Sequence, residues 1–388
     1  MNLAQFLAVA ICLGLASGAY GQQATNQIVV EGSTRVPVAV GNFSGARGED
    51  SKKLFQTDLN LSGMFNLNAG AETAYSIQAT VTESSVTGTV TDSKTNAAVL
   101  TQTFDGGWRL ATQKFADAAF KKMTGVDGFF TSKVAFVSAQ SGNKEIYLMD
   151  IDGGNIRQLT NDRVISLGPK FSKDGGLIAY TSYLKGYADV WIIDLAGGNK
   201  RRVSFYPGIN SGAAFSPDGS LLALTLSKDG NTELYTISSN GGSPNRLTTT
   251  RGTEATPSWS PDGQKIVYVS DDRGSAQIFI KPVSGGPGTL LRTNSTYTTE
   301  PVWSPDGKSI AYSIRSSGQS QIGLTVIASG EQKILTKTGA NETPAWTGNS
   351  RHLVYANNGR LYVLDSVTGQ TIQIDNGLGQ CSEPTVAK

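Results

Sequence analysis

Beyond residue 130 the apolar positions fall into short runs with strand-like alternation, each bounded by polar and glycine-rich turns. Glu233-Leu234-Tyr235-Thr236-Ile237, Gln277-Ile278-Phe279-Ile280 and Ser309-Ile310-Ala311-Tyr312-Ser313 are representative. The runs are spaced by a recurring stretch that begins on an aromatic residue. It reads Phe171-Ser172-Lys173-Asp174-Gly175, Phe215-Ser216-Pro217-Asp218-Gly219, Trp259-Ser260-Pro261-Asp262-Gly263, Trp303-Ser304-Pro305-Asp306-Gly307 and a degenerate Trp346-Thr347-Gly348-Asn349-Ser350. Successive copies start 44, 44, 44 and 43 residues apart, and a fixed period in this range predicts a repeat architecture.

Each repeat predicts the same local structure. The aromatic residue ends one short strand. Pro then presets φ for the second turn position, Asp bonds the local backbone and Gly accepts positive φ, so Ser-Pro-Asp-Gly predicts a tight hairpin turn. Alternating second and third strands follow, then a Gly-rich turn such as Asn240-Gly241-Gly242 or Gly285-Gly286, and a short fourth strand. Four antiparallel strands in a unit of this length make a propeller blade. Residues 133–160 carry strands two to four of a sixth blade, with Ala135 one 44-residue period before Ala179, but lack its inner strand. At the C-terminus Glu383-Pro384-Thr385-Val386 matches Glu300-Pro301-Val302-Trp303, with Pro169, Pro257 and Pro344 in much the same slot. The chain therefore predicts an all-β six-bladed propeller closed by pairing its two ends, with no free edge strand at the join.

Residues 22–125 lack the period and mix helix with strand, which predicts a smaller α/β domain ahead of the propeller. Strands are expected at Val36 to Val40, Tyr75 to Val81, Val86 to Thr91 and Ala97 to Phe104. A helix is expected from Glu49 to Leu61, acidic in its first turn and followed by Gly63, and a second from Trp108 to Met123 with Gly125 as its stop. Residues 126–132 link this domain to the propeller at 133–388.

Composition adds the compartment. Phe6 to Leu15 is an apolar run as long as a signal-peptide core, followed by the small residues Ala16, Ser17, Gly18 and Ala19, though no Lys or Arg precedes it. Residues 1–21 are read as a signal peptide, too short to span a bilayer, which makes the mature chain exported and without a membrane span. Cys12 is an apolar member of that core, and Cys381, then alone in the mature chain, is expected to be a buried or idle thiol. A formal net charge of +2 is too small to indicate nucleic acid. The densest basic cluster, Lys200-Arg201-Arg202, falls on an outer strand and is expected to be a solvated edge.

Candidate chemistry is sparse. No Gly-x-Ser-x-Gly nucleophile elbow occurs, and the one histidine, His352, cannot assemble a triad or a metal cluster, so it is assigned a structural or surface role. Gly307-Lys308-Ser309 fails as a phosphate loop because Val302 stands where that loop requires Gly. Asp150-Ile151-Asp152-Gly153 reads as a hairpin turn rather than a calcium loop. No catalytic residue, metal ligand or cofactor is expected. What remains is a binding surface, because loops carried on a rigid scaffold are where binding concentrates. The segments that enter the inner strands place Ile209, Asn210, Ser211, Glu254, Ala255, Thr256, Thr298, Thr299, Glu300, Asn341, Glu342, Thr343, Ser382 and Glu383 at one mouth of the channel. Glu254, Glu300, Glu342 and Glu383 are expected to form an acidic ring there.

Three stretches together resemble the TolB family of the periplasmic Tol-Pal cell-envelope system: Asp58-Leu59-Asn60-Leu61-Ser62-Gly63-Met64-Phe65, Phe120-Lys121-Lys122-Met123-Thr124-Gly125-Val126-Asp127-Gly128 and the Ser-Pro-Asp-Gly blades. The resemblance implies a non-catalytic periplasmic scaffold that supports outer-membrane integrity and constriction at cell division. It implies binding of the lipoprotein Pal at the channel-mouth positions just named, and of TolA or other Tol proteins through the N-terminal region. The chain departs from the family in two places: residues 66–74 are short where the family has a longer insertion with another helix, and the N-terminal segment that contacts TolA is not recognisable in residues 22–29. The alternative is a secreted propeller enzyme or glycan-binding module that shares only the blade motif.

Overall fold

The computed structural model describes residues 35–387 apart from Ala69, Ala71 and Asn376. The signal-peptide assignment, Cys12 and residues 22–29 lie outside the described residues. In the first domain, strands β1 (Val36–Ser44), β2 (Phe65–Asn66), β3 (Tyr75–Val81), β4 (Ser85–Asp92) and β5 (Ala97–Asp105) form one sheet in the order β2-β1-β3-β4-β5. Helices α1 (Gly48–Leu61) and α2 (Trp108–Thr124) pack on each other and against it. Glu49 and Asp50 lie in the first turn of α1, and Gly125 ends α2 in the left-handed conformation. The core here is aromatic, with Phe55 stacked on Phe115 at 4.9 Å. Gly88 in β4 permits this packing, since a Cβ there would stand 2.2 Å from the Phe115 ring.

The remaining strands form six four-stranded sheets. We number the blades by their inner strands: Cys381–Ala387 (blade 1), Ser166–Phe171 (2), Asn210–Phe215 (3), Glu254–Trp259 (4), Thr298–Trp303 (5) and Asn341–Trp346 (6). Blade 1 joins the two ends of the propeller, the last strand pairing antiparallel with Lys133–Ser138. The ring is thereby closed without an unpaired inner edge.

The recurring turn has a common chemistry. Ser304 Oγ donates to Asp306 at 2.6 Å and accepts from the Ser309 amide at 2.9 Å, and Ser172, Ser216 and Ser260 make the same bond to Asp174, Asp218 and Asp262. Gly307-Lys308-Ser309 belongs to this turn. In blade 6 Thr347 Oγ1 bonds Asn349 at 2.9 Å, so the degenerate copy keeps the geometry. Its Asn has a second task that an Asp cannot perform: the amide donates to the Asp127 carbonyl at 3.0 Å.

That bond belongs to the junction between the domains. Inner strands run from the channel mouth down to these turns, so contacts at residues 349–352, 150–154 and 370 place the first domain on the turn side of the ring. Arg109 of α2 binds Asp150 at 3.1 Å and Asp152 at 2.5 Å, and Lys133 also binds Asp150. The Asp-Ile-Asp-Gly turn thus holds its two carboxylates with an arginine of the other domain. Phe129 and Phe130 are fully buried between the domains, beside Phe120 and His352. His352 is fully buried rather than at the surface. Gly128 must pass so close to Asp117 that a Cβ would meet its side chain at 2.3 Å.

One surface expectation is corrected. Lys200-Arg201-Arg202 lies on the outer strand of blade 2 but is not a loose solvated edge: Lys200 binds Asp162 at 2.9 Å, Arg201 donates to the Ser239 carbonyl at 2.7 Å, and Arg202 binds buried Asp189 at 2.7 Å.

Candidate functional site

All six inner strands carry the same irregularity. Each ladder shifts register between its second and fifth residues, and the third residue adopts a left-handed conformation: Gly168 (φ 60°), Gly212 (64°), Thr256 (48°), Glu300 (54°), Thr343 (55°) and Glu383 (52°). This is a β-bulge, which leaves residues unpaired and re-aims side chains. It also explains the Pro that follows in five of the six blades, since a bulge is where a strand tolerates a missing N–H. Left-handed non-glycine residues cost on the order of 1–3 kcal/mol each and persist where the surroundings enforce them, often at binding sites.

The bulge sorts the candidate residues by register. Those at the first position, Asn210, Glu254, Thr298 and Asn341, are fully buried with their side chains turned into the blades. The two asparagines act as struts: Asn210 Oδ1 accepts from Ser204 and the Tyr206 amide at 2.8 and 2.9 Å, and Asn341 Nδ2 donates to Gln321 at 2.9 Å and the Thr338 carbonyl at 2.8 Å. Those at the second and third positions, Ser211, Ala255, Thr256, Thr299, Glu300, Glu342, Thr343, Ser382 and Glu383, keep accessible surface at the rim, and Ile209 is exposed on the face beside them.

The four glutamates therefore do not form one acidic ring. Glu254, at the first position, is buried between blades 3 and 4, accepting from Thr250 and Ser270 at 2.7 Å each. Burial, reinforced by Glu233, pushes its carboxyl up to about 7. Glu300 and Glu383 sit two positions further along and each clamps the next blade: Glu300 Oε2 accepts from the Thr343 amide at 2.8 Å, and Glu383 Oε2 from the Gly168 amide at 2.6 Å. Glu342 is exposed near Glu300. Burial raises the Glu300 carboxyl, opposed first by the hydrogen bonds from Ser313 and the Thr343 amide and less by Lys170.

Lys170 is the residue the sequence reading misses. It stands at the fifth position of blade 2, where the channel burial lowers its ammonium and Glu300 and Glu383 oppose that shift. The only local signal is a charge inside an otherwise small and apolar inner strand. Between blades 6 and 1 the rim opens into a cavity of about 230 Å³ lined by Lys144, Glu342, Asn358, Gln380 and Ser382. Cys381 borders it but is buried, and its thiol is pushed up to about 12 by that burial. Among the described residues, no three His, Cys, Asp or Glu side chains are grouped to hold a metal, and no helix is long and apolar enough to cross a membrane.

A closed six-bladed ring with an α/β domain fixed to one face, and a strained polar rim open on the other, defines a two-domain β-propeller protein. The family model of the TolB beta propeller domain matches residues 120–387, well over half of the chain, and the chain belongs to that family. The Tol-Pal system protein TolB of Geobacter sulfurreducens is 55% identical over 67 residues, 17% of this chain and 16% of that protein. The Tol-Pal system protein TolB of Cereibacter sphaeroides (strain ATCC 17025) is 32% identical over 215 residues, 45% of this chain and 48% of that protein. These matches span between about a sixth and about half of the relatives' length. The crystal structure of TolB from Acinetobacter baumannii superposes with a TM-score of 0.83 at 23% identity, covering 92% of this chain and 98% of that one, a likeness of fold. The tricorn protease shares the propeller more distantly, with a TM-score of 0.52 at 20% identity over 63% of this chain and 25% of that one.

Proposed function

We propose that this chain is a non-catalytic periplasmic scaffold of the Tol-Pal system, in which the open rim of the propeller binds the lipoprotein Pal and the first domain communicates with TolA or other Tol proteins. Such a scaffold would support outer-membrane integrity and constriction at cell division. Export after residue 21, with residues 22–125 and 133–388 as the two folded parts, belongs to the same proposal. The observation that carries it is the division of labour between the two faces. One is occupied by the first domain through Arg109, Asn349 and His352, and the other presents six inner-strand bulges, four of which re-aim a side chain, with Ile209 beside them. The name that the matched relatives share, Tol-Pal system protein, supports the choice of partner.

Calorimetric titration of the purified chain with the soluble domain of the cognate Pal tests this. A saturable one-to-one isotherm is expected. Absence of binding at all accessible concentrations, or turnover of a peptide or glycan by the purified chain, would replace the scaffold with a secreted propeller enzyme or glycan-binding module.

A further inference from the structure

The mouth face is not uniform around the ring. Among the described residues ten large apolar side chains are exposed, and five of them, Ile165, Tyr183, Tyr187, Phe205 and Ile209, belong to the mouth loops of blades 2 and 3. Tyr187 is 73% and Phe205 58% exposed. These loops lie side by side, because the Tyr183 amide donates to the Ile165 carbonyl at 3.1 Å and the Asn210 amide to the Ala188 carbonyl at 3.1 Å. The Ser166 amide donates to the Lys144 carbonyl at 2.8 Å, which extends the arc to blade 1. The surface is held in shape: Arg202, bound to buried Asp189, stacks 4.5 Å from the Phe205 ring, and the Asn210 side chain braces the loop before blade 3.

In the mouth loops 139–144, 159–165, 183–188 and 205–209 the unpaired charge has one sign, while Asp229 of the blade 3 hairpin is bound by Lys228 and Arg246 and Glu383 accepts from the Gly168 amide. Lys144, Arg163 and Lys185 are exposed and, among the described residues, make no ion pair, whereas the single acid of the four loops, Asp162, is bound by Lys200. The mouth loops of blades 4 to 6 carry one exposed large apolar residue, Tyr297, and mixed charges such as Asp271, Asp272 and Arg273. Exposed apolar and tyrosine side chains on adjoining loops, interspersed with unpaired charges, are the composition of a protein-docking surface. The rim charges select the partner.

We propose that the arc over blades 1 to 3 binds an acidic segment of a protein partner whose apolar side chains seat against Tyr183, Tyr187, Phe205 and Ile209. This deepens the rim-docking proposal and rests on it for the choice of face, but shifts the contact off the channel axis and calls for an acidic partner, where the acidic ring expected from the sequence would have called for a basic one.

Random dodecapeptides displayed on phage are selected on the wild-type chain and rebound to two variants, Tyr187→Ser with Phe205→Ser, and Lys144→Glu with Arg163→Glu and Lys185→Glu. Thermal melts check folding, with Lys185→Glu alone as the fallback. Selected peptides should be enriched in Asp and Glu beside Leu, Phe or Trp and should bind both variants at least tenfold more weakly, the loss in the charge variant shrinking as salt rises. Peptides without acidic enrichment, or equal binding to the variants, overturn the proposal. So does concentration-dependent dimerisation of the wild type that the variants abolish, because the occupant is then a second copy. The Pal soluble domain is titrated in parallel. Equal binding of Pal to wild type and both variants overturns this inference while the rim reading stands. Peptide binding without any Pal binding supports this inference while the Pal reading fails.

Discussion

His352 and Ser62, 290 positions apart, are joined by a single hydrogen bond in which His352 Nε2–H donates to the Ser62 carbonyl at 3.0 Å. The Asn349 amide donates to Nδ1 at 3.0 Å, so the network assigns the neutral tautomer protonated on Nε2. The ring stacks on Phe129 with centroids 4.3 Å apart, and burial pulls its pKa down to about 4. One imidazole thus ties the end of α1, the interdomain link and the last blade together.

That buried histidine sets one limb of the pH dependence. A His whose folded pKa lies below its unfolded value binds fewer protons folded than unfolded between the two values. The wild type should therefore keep this contribution above about pH 6.5 and lose on the order of 3 kcal/mol as pH falls to about 4. His352→Gln removes the titration. In urea melts the stability difference between wild type and variant should narrow as pH falls through this window, and a pH-independent difference would show that His352 does not titrate there.

Glu254 sets a limb of opposite sign. Its Oε2 and that of Glu233 are buried without a partner, and its raised carboxyl folds most favourably when protonated. Its contribution is fully present below about pH 4.5 and is lost as pH rises through about 7. Glu254→Gln should match the wild type near pH 4.5 and exceed it by about 2 kcal/mol at pH 8, less than the full shift because the protein relaxes and water penetrates around a buried charge. Equal stability at pH 8 would contradict this assignment.

Gly128→Ala should destabilise the junction by about 1–3 kcal/mol, the range for overpacking. The added Cβ displaces Asp117, which accepts from the Phe130 amide at 2.7 Å and from Thr131 Oγ1 at 2.7 Å. Differential scanning calorimetry reads the loss, and an unchanged melting temperature would show that the link can move aside.

Deleting residues 381–388 removes the inner strand of blade 1, the Glu383 clamp on the Gly168 amide and the ladder to Lys133–Ser138. The melting temperature should fall clearly and the protein should aggregate through the exposed edge. An unchanged melt would show that closure does not depend on this strand.

The blades are legible because a 44-residue period identifies them without any knowledge of packing, and the matching of Glu383-Pro384 to Glu300-Pro301 locates the closing strand, which begins two residues earlier at Cys381. The helices are legible from their end signals, and the structure agrees with them to within a residue. The acidic ring is not legible, because the period names the strand but not which neighbouring position a bulge turns outward. Glu254 and Glu300 differ by two register positions, and that difference buries one and leaves the other at the channel. The role of Asn349 is equally hidden: its departure from the repeat reads as degeneracy until the Asp127 carbonyl is seen beside it. The exposed tyrosines of blade 2 carry no local pattern, and the one signal at Lys170, a charge inside an inner strand, reads by periodicity as surface.

The most direct measurement is hydrogen exchange of the chain alone and saturated with the Pal soluble domain. The account predicts added protection in the mouth segments, strongest at residues 139–144, 162–166, 183–188 and 205–211, with α1 and α2 unchanged. Protection confined to the first domain or to the outer strands, or none at saturating Pal, would contradict it.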